Sequence, residues 1–345
     1  MRRRTVLTLA LGAGAGMLVG ARAAPAQTTG AETALALVET AVDRVILPDY
    51  RAFASAAKAF ETAAASEDAG LDALRQGYHA AMDAWQAVQA IRFGPIAEAE
   101  RHFRVQFWPD KRNLTARHLA GFIADADPEM LEPERFAAHS IALQGFPALE
   151  RLLFEDADAL TGDGGEARYC RRLVRTIAAN LAGIGAAVVE AWPAHRDLML
   201  APGDDNPVYR TAEESLRAVH AVLANGLERL VTLKLEPLLV DGPEDMRPRR
   251  AESWRAGRAL RNIALNLSAA GRPDSTACCG RATRGCSPTG SRAVWPGPRS
   301  AHGRLAPRWR MRWRGTAATP TCCCCATRSA ASAPRLRRIW RPRSG

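Results

Sequence analysis

Apolar residues recur at spacings of three and four over most of the chain between residues 27 and 270. Residues at this spacing share one face of an α-helix, so the pattern predicts amphipathic helices. The predicted helical segments are 31–47, 49–65, 71–93, 114–124, 133–155, 166–190, 208–235 and 248–270. The sequence shows no sustained alternation of apolar and polar residues, which would indicate β-strands. The predicted fold class is therefore all-α, with two up-and-down helical bundles packed side by side.

Proline and glycine residues separate these segments, because both residue types disfavour a helix interior. The separating residues are Pro48, Gly70, Gly94, Pro95, Pro109, Pro202, Gly203, Gly242 and Pro243. Asp110 and Asp205 are predicted to cap helix starts, since a short carboxylate can accept the free backbone N–H groups there. The loop 161–165, T-G-D-G-G, is the predicted boundary between two halves, 27–163 and 164–270.

The segment 138–155 is predicted to be a buried helix with a break in its middle. Its apolar stripe consists of Ala142, Gly145, Phe146, Leu149, Leu152 and Leu153. Pro147 lacks the backbone N–H that a helix interior requires, so the helix should kink or restart near Phe146. Glu150 follows three residues later, on the same side of the helix as Pro147.

Four short motifs resemble those of a known family. Gly145, Pro147 and Glu150 stand at the specified positions of a G-x-H-x-x-E motif, with proline in place of the histidine. The other three motifs are W-Q-A-V-Q-A-I-R-F-G-P at 85–95, F-W-P-D-K-R at 107–112 and S-W-R-A-G-R-A-L-R-N-I-A-L-N-L at 253–267. Together they resemble the imelysin-like family, which includes relatives of insulin-cleaving membrane protease and of iron-regulated protein A.

The resemblance implies an imelysin-like helical domain over 27–270 and a function linked to iron supply. The leading hypothesis is a non-catalytic binding protein for iron or an iron-bearing ligand. The alternatives are a metallopeptidase, the activity after which the family is named, and a helical scaffold that binds another protein of the cell envelope. Zinc peptidases use about three protein ligands and an open water position. Here the motif offers only Glu150, so no catalytic residue is assigned.

Glu150 and His139 are the candidate metal ligands, with iron or zinc as the candidate ion. Their separation in sequence corresponds to about three helical turns, so they would share one side of a straight helix. Pro147 lies between them and disturbs that geometry. An alternative, which we favour, is that Glu150 is a partly buried carboxylate paired with an arginine. The sequence identifies no residue for binding another cofactor.

Tryptophan and arginine residues of the body have a structural and a functional interpretation. Four tryptophans could anchor the core or line a ligand-binding site, and we favour the core: Trp85, Trp108, Trp192 and Trp254. Aromatic side chains bury a large area wherever helices cross. Five arginines could line an anion-binding pocket or pair with Asp and Glu side chains of other helices, and we favour the pairing: Arg92, Arg112, Arg255, Arg258 and Arg261.

The first 26 residues resemble a secretory signal peptide. Three arginines at 2–4 precede a mostly apolar stretch at 5–20, and A-P-A at 24–26 is a small-x-small cleavage site. The apolar stretch is short for a membrane-spanning helix. These features predict export to the periplasm and no transmembrane span after cleavage.

The segment 271–345 differs in composition from the rest of the chain. It holds 16 arginines, one acidic residue and seven of the eight cysteines, so the net charge of +11 arises there and the body before it is acidic. Its few aliphatic residues predict a disordered, low-order tail. The composition is typical of out-of-frame reading of GC-rich DNA and favours a frameshift near Ala270. The alternatives are a cysteine-rich metal-binding tract and an arginine-rich arm that binds nucleic acid. Because the folded body is acidic, we expect no nucleic acid partner.

Overall fold

The computed structural model describes residues 30–66, 69–239 and 245–272, and in these ranges the protein is all-α, as predicted. The α-helices of the described ranges are α1 (Gly30–Ala41), α2 (Leu47–Ala65), α3 (Leu71–Val88), α4 (Arg101–Val105), α5 (Leu114–Asp125), α6 (Pro133–Ala138), α7 (Phe146–Glu150), α8 (Gly165–Leu200), α9 (Ala212–Arg229), α10 (Glu236–Leu239) and α11 (Ala259–Ala270). The predicted signal peptide 1–26 and the predicted tail beyond Arg272 lie outside the described residues.

The predicted break at Pro48 is wrong. α1 passes into α2 through a π-helical segment, Val42–Ile46, without leaving the helical region of backbone conformation. Pro48 lies in the first turn of α2, where a residue without a backbone N–H is tolerated. The π-helical segment changes the hydrogen-bond spacing just before the proline, and α1 and α2 are continuous through it.

Helix α2 packs against both α3 and α8, and these three helices carry much of the core. Tyr50 of α2, Trp85 of α3 and Trp192 of α8 are fully buried. One hydrophobic cluster contains residues from both sides of the predicted boundary at 161–165. Among the described helices, α8 alone is long and apolar enough to cross a membrane, but many of its apolar side chains are buried in this core. It also continues to Leu200, beyond its predicted end, and accommodates Pro193.

The predicted helix 133–155 is divided into shorter elements. α6 is followed by a 3-10 turn, Ile141–Leu143, and α7 is followed by a π-helical segment, Arg151–Glu155. The predicted restart near Phe146 is confirmed, because α7 begins there with Pro147 in its first turn. Phe146 and Leu149 are fully buried, as the apolar stripe indicated.

Helix α9 begins later than predicted, and Asp205 is not its cap. The side chain of Thr211 accepts the backbone N–H of Glu214 at 3.3 Å, and Glu214 in turn accepts the N–H of Arg210 at 2.7 Å. This reciprocal arrangement satisfies free donors at the helix start. The predicted helix 248–270 is helical as α11 only from Ala259, and the turn before α11 helps to form the site described next.

Candidate functional site

Glu150, the acidic residue of the motif, is buried at the end of α7 with 5% of its surface exposed. Its Oε1 accepts the backbone N–H of Arg255 at 2.7 Å and that of Ala256 at 3.2 Å. Both donors belong to the turn 251–257 that precedes α11. The motif glutamate therefore connects the middle of the chain to the segment that leads into its last described helix.

Burial raises the pKa of Glu150 above its ordinary value, and the backbone bonds and the charge of Arg255 offset only part of that shift. The favoured interpretation that Glu150 pairs with an arginine side chain is wrong. The guanidinium of Arg255 instead donates from Nε to Glu155 at 2.6 Å. The turn presents its backbone amides to Oε1 of Glu150, while the guanidinium of Arg255 extends to Glu155.

A cleft of about 560 Å³ opens beside Glu150 and Pro147. Trp108 and Trp254 line this cleft and are half-buried, whereas Trp85 is fully buried. The interpretation of the tryptophans as core anchors is therefore confirmed for Trp85 and Trp192 only. The other two tryptophans present aromatic surface to the cleft.

Positive charge dominates the lining of the cleft. Its basic residues are Lys111, Arg151, Arg249, Arg250 and Arg255. Its acidic residues are Glu150 and Asp110, and both already accept backbone N–H groups. Asp110 accepts those of Leu114 and Thr115 at 2.8 Å each, which confirms its predicted role at a helix start. Arg151 and Arg255 pair with Glu155, whereas Lys111, Arg249 and Arg250 form no ion pair with a carboxylate of the described ranges. With five basic and two acidic residues, the lining carries a net positive formal charge.

Trp254 combines with two of these arginines. The guanidinium carbons of Arg255 and Arg249 lie 4.4 Å and 5.6 Å from the centroid of its ring, within the range of a cation–π contact. This stacking holds planar guanidinium groups beside an aromatic face. Such a surface suits ligands that carry carboxylates together with planar or aromatic parts.

A buried polar network adjoins the cleft. Glu252 and Lys234 form an ion pair at 2.7 Å, with side chains 1% and 8% exposed. Lys234 Nζ also donates to Gln86 at 2.9 Å and to Gln89 at 2.7 Å. Glu252 further accepts from the side-chain amide of Asn262 at 2.9 Å. The network connects α3, the π-helical segment Leu230–Leu235 and α11, so it fixes the turn 251–257 against the rest of the fold.

The arginines fulfil the ion-pair prediction in part. Arg258 and Arg261 both pair with Asp83 of α3, and Arg255 pairs with Glu155, which confirms the prediction for these three residues. Arg92 and Arg112 form no ion pair with any carboxylate of the described ranges. Arg112 is exposed, whereas Arg92 is half-buried and stacks over an aromatic ring.

The described residues do not fit a resident catalytic metal at Glu150. A zinc peptidase requires about three protein ligands, and the described ranges contain no group of three or more His, Cys, Asp or Glu side chains placed to hold a metal ion. His139 lies elsewhere, with Nε2 at 3.2 Å from the sulfur of Met130 and its ring at 5.1 Å from that of Phe122. No described contact joins His139 to Glu150, and Pro147 supplies no donor atom.

Sequence reasoning did not single out Glu252 and Lys234. Lys234 stands in the apolar stretch L-V-T-L-K-L at 230–235, and a lysine inside an apolar helical face indicates a buried partner. The sequence therefore indicates that Lys234 has a buried partner. It does not identify Glu252, 18 residues later, because that contact depends on how the turn before α11 folds back.

We expect Glu150→Gln to remove a component of stability that depends on pH. The folded protein binds the proton of Glu150 more tightly than the unfolded chain does, because its pKa is raised. Above the pKa that Glu150 has in the folded protein, its buried charge lowers the free energy of unfolding. As the pH falls through that pKa, the carboxyl is protonated and the lost stability is regained. Urea unfolding between pH 7 and pH 4 should show the wild type gaining stability relative to Glu150→Gln as the pH falls. Glu228→Gln, at an exposed position, is the matched control; an equal trend for both variants would contradict the expectation.

Comparison with known proteins adds to this geometry. The family model for Imelysin (Peptidase_M75) matches residues 46–272. Iron-regulated protein A from Synechococcus elongatus is 26% identical over 243 residues, which cover 66% of this chain and 61% of that protein. The chain thus spans less than two thirds of that relative. The crystal structure of an imelysin-like protein from Psychrobacter arcticum superposes with a TM-score of 0.57 at 20% identity, covering 73% of this chain and 78% of that one. At this identity the likeness concerns the fold.

Proposed function

This chain belongs to the imelysin family, and from that premise we propose that it is an exported, non-catalytic binding protein that serves iron acquisition. The name of its curated relative links that protein to iron regulation. The predicted signal peptide supports export to the periplasm. A partner protein of the cell envelope would then receive the bound cargo.

The observation that carries this proposal is the charge of the cleft at the family motif. Five basic and two acidic side chains line it, and three of the basic ones, Lys111, Arg249 and Arg250, have no carboxylate partner among the described residues. A bare ferric or ferrous ion would meet positive charge there, which is unfavourable. A ferric complex with an anionic chelator, such as a polycarboxylate, reverses the sign of the interaction. We therefore infer that the cargo is an iron chelate that is anionic as a whole.

Aromatic surface supports the same ligand class. Trp254 contacts two arginines, and Trp108 also lines the cleft. Arginine forks pair with carboxylates in two parallel hydrogen bonds, and the flat indole ring covers the planar part of a chelator. A cleft of about 560 Å³ lies within the usual size range of small-molecule sites.

Calorimetric titration of the full chain with ferric citrate tests the proposal, with gallium citrate as a redox-inert match. We expect saturable binding of both complexes. Arg249→Gln combined with Arg250→Gln should weaken binding by roughly tenfold or more, because two charge-assisted contacts are removed. Arg217→Gln is the matched control, since it removes an arginine of α9 that is 69% exposed and does not line the cleft.

Three results would contradict the proposal. Equal affinity of the wild type and the double variant for ferric citrate would show that the cleft is not the site. Equal affinity for metal-free citrate would show an anion site without a role for iron. Cleavage of peptides that a chelator abolishes would favour the metallopeptidase hypothesis instead.

A further inference from the structure

Another cavity, of about 110 Å³, shares Gln106, Trp108 and Leu233 with the cleft, but Glu150 does not line it. α9 and the stretch 86–92, at and after the end of α3, supply much of its wall, with contributions from the π-helical segments 42–46 and 230–235 and from the end of α11. Most of the lining side chains are aliphatic, among them Val45, Ile46, Ile91, Val222, Leu223 and Leu233. Its volume is somewhat smaller than the ~150 Å³ of an apolar cavity that admits benzene. It can therefore enclose a small apolar body.

Three arginines interrupt this apolar lining; Arg272 pairs with Asp49, and the other two are Arg92 and Arg229. Arg92 follows α3, and Arg229 is the last residue of α9. Neither forms an ion pair with a carboxylate of the described ranges, and Arg92 Nε is enclosed without a hydrogen-bond partner among them. An unpaired cation in a partly desolvated position is costly unless a counter-charge approaches. The guanidinium groups of Arg92 and Arg229 are therefore available to bind an anion.

The positive charge of Arg229 acts on Arg92. Burial and this charge lower the pKa of Arg92 to about 10, and the negative charge of Glu252 offsets part of the shift. Burial, with the charges of Arg92 and Arg229, lowers the pKa of His102 to about 3, so this imidazole remains neutral at physiological pH. The other charged side chains of the lining are committed, because Asp49 pairs with Arg272 and Lys234 pairs with Glu252.

We propose that this cavity binds a small carboxylate with an apolar body, whose carboxylate lies between Arg92 and Arg229 and whose hydrocarbon part fills the aliphatic space. A guanidinium can donate two parallel hydrogen bonds to one carboxylate. Burial of the hydrocarbon part adds free energy in proportion to the apolar area covered. This site takes a different class of ligand from the cleft and does not rest on the proposed function.

Three probes of equal chain length test the charge requirement: hexanoate, hexanol and hexylamine. Calorimetry on the full chain should show that hexanoate binds roughly tenfold more tightly than hexanol, because the arginines discriminate the carboxylate. Hexylamine should bind least. Arg92→Gln and, separately, Arg229→Gln should reduce the affinity for hexanoate to about that for hexanol, whereas Arg217→Gln should leave it unchanged.

A filling variant tests the apolar part. Val222→Trp places a large ring in the cavity and should abolish binding of both hexanoate and hexanol. Circular dichroism and a cooperative thermal unfolding transition like that of the wild type would show that this variant is folded. Equal binding of hexanoate and hexanol, hexanoate binding unaffected by both arginine variants, or no binding of hexanoate to the wild type would each overturn the proposal.

Discussion

Replacing Gly145 by alanine is expected to destabilise the protein by about 3 kcal/mol. A Cβ atom at this position would overlap the backbone carbonyl oxygens of Arg104 and Val105. Backbone atoms cannot turn aside as the end of a flexible side chain can, so either α7 or the end of α4 must move. Because Phe146 is fully buried next to this contact, the displacement would also disturb the core. Chemical denaturation monitored by circular dichroism measures the change in the free energy of unfolding.

Gly121→Ala is the matched control for this experiment. Gly121 lies in α5, and a Cβ added there meets no atom within 4 Å. Alanine in a helix interior is favoured over glycine by roughly 0.5–1 kcal/mol, so this variant should be slightly more stable than the wild type. If Gly145→Ala behaved like Gly121→Ala, the start of α7 would not lie against α4 as described.

Gly145 shows how far sequence reasoning reaches at this site. The motif marked Gly145, Pro147 and Glu150, and the proline correctly predicted the restart of a helix at Phe146. The physical reason for the glycine lies about forty residues earlier, at a backbone that no local pattern brings near. Periodicity reports which face of a helix is buried, but it does not report which segment covers that face.

The same limit applies to the partners of the charged residues. Glu150 was interpreted as the partner of an arginine side chain, yet its hydrogen bonds come from the backbone of a turn that the pattern read as helix. Likewise the pattern predicts a break at Pro48, but a π-helical segment just before it lets the helix continue. Local propensity was overridden wherever tertiary contacts stabilised another backbone path.

Replacing Lys234 by methionine is expected to destabilise the protein by about 3–5 kcal/mol, the usual cost of removing one partner of a buried ion pair. Glu252 is 2% exposed and would remain charged without its cation. The side-chain oxygens of Gln86, Gln89 and Asn266 would each lose the donor that Lys234 provides at 2.9, 2.7 and 2.5 Å. Lys58→Met, at a side chain that is 69% exposed, should change stability by no more than about 0.5 kcal/mol.

A double variant separates the charge from the packing. In Lys234→Met with Glu252→Gln no uncompensated carboxylate remains. The single carbonyl oxygen of the new amide replaces one of the two carboxylate oxygens that accept from Asn262 and Gln89, so one of these two hydrogen bonds is kept. We therefore expect the double variant to recover more than half of the stability lost in Lys234→Met, as a coupling that a double-mutant cycle measures directly. Additive losses would show that the two side chains act independently.

Because the pair fixes the turn that donates to Glu150, a destabilised Lys234→Met should also bind ferric citrate more weakly, and the double variant should restore part of that affinity.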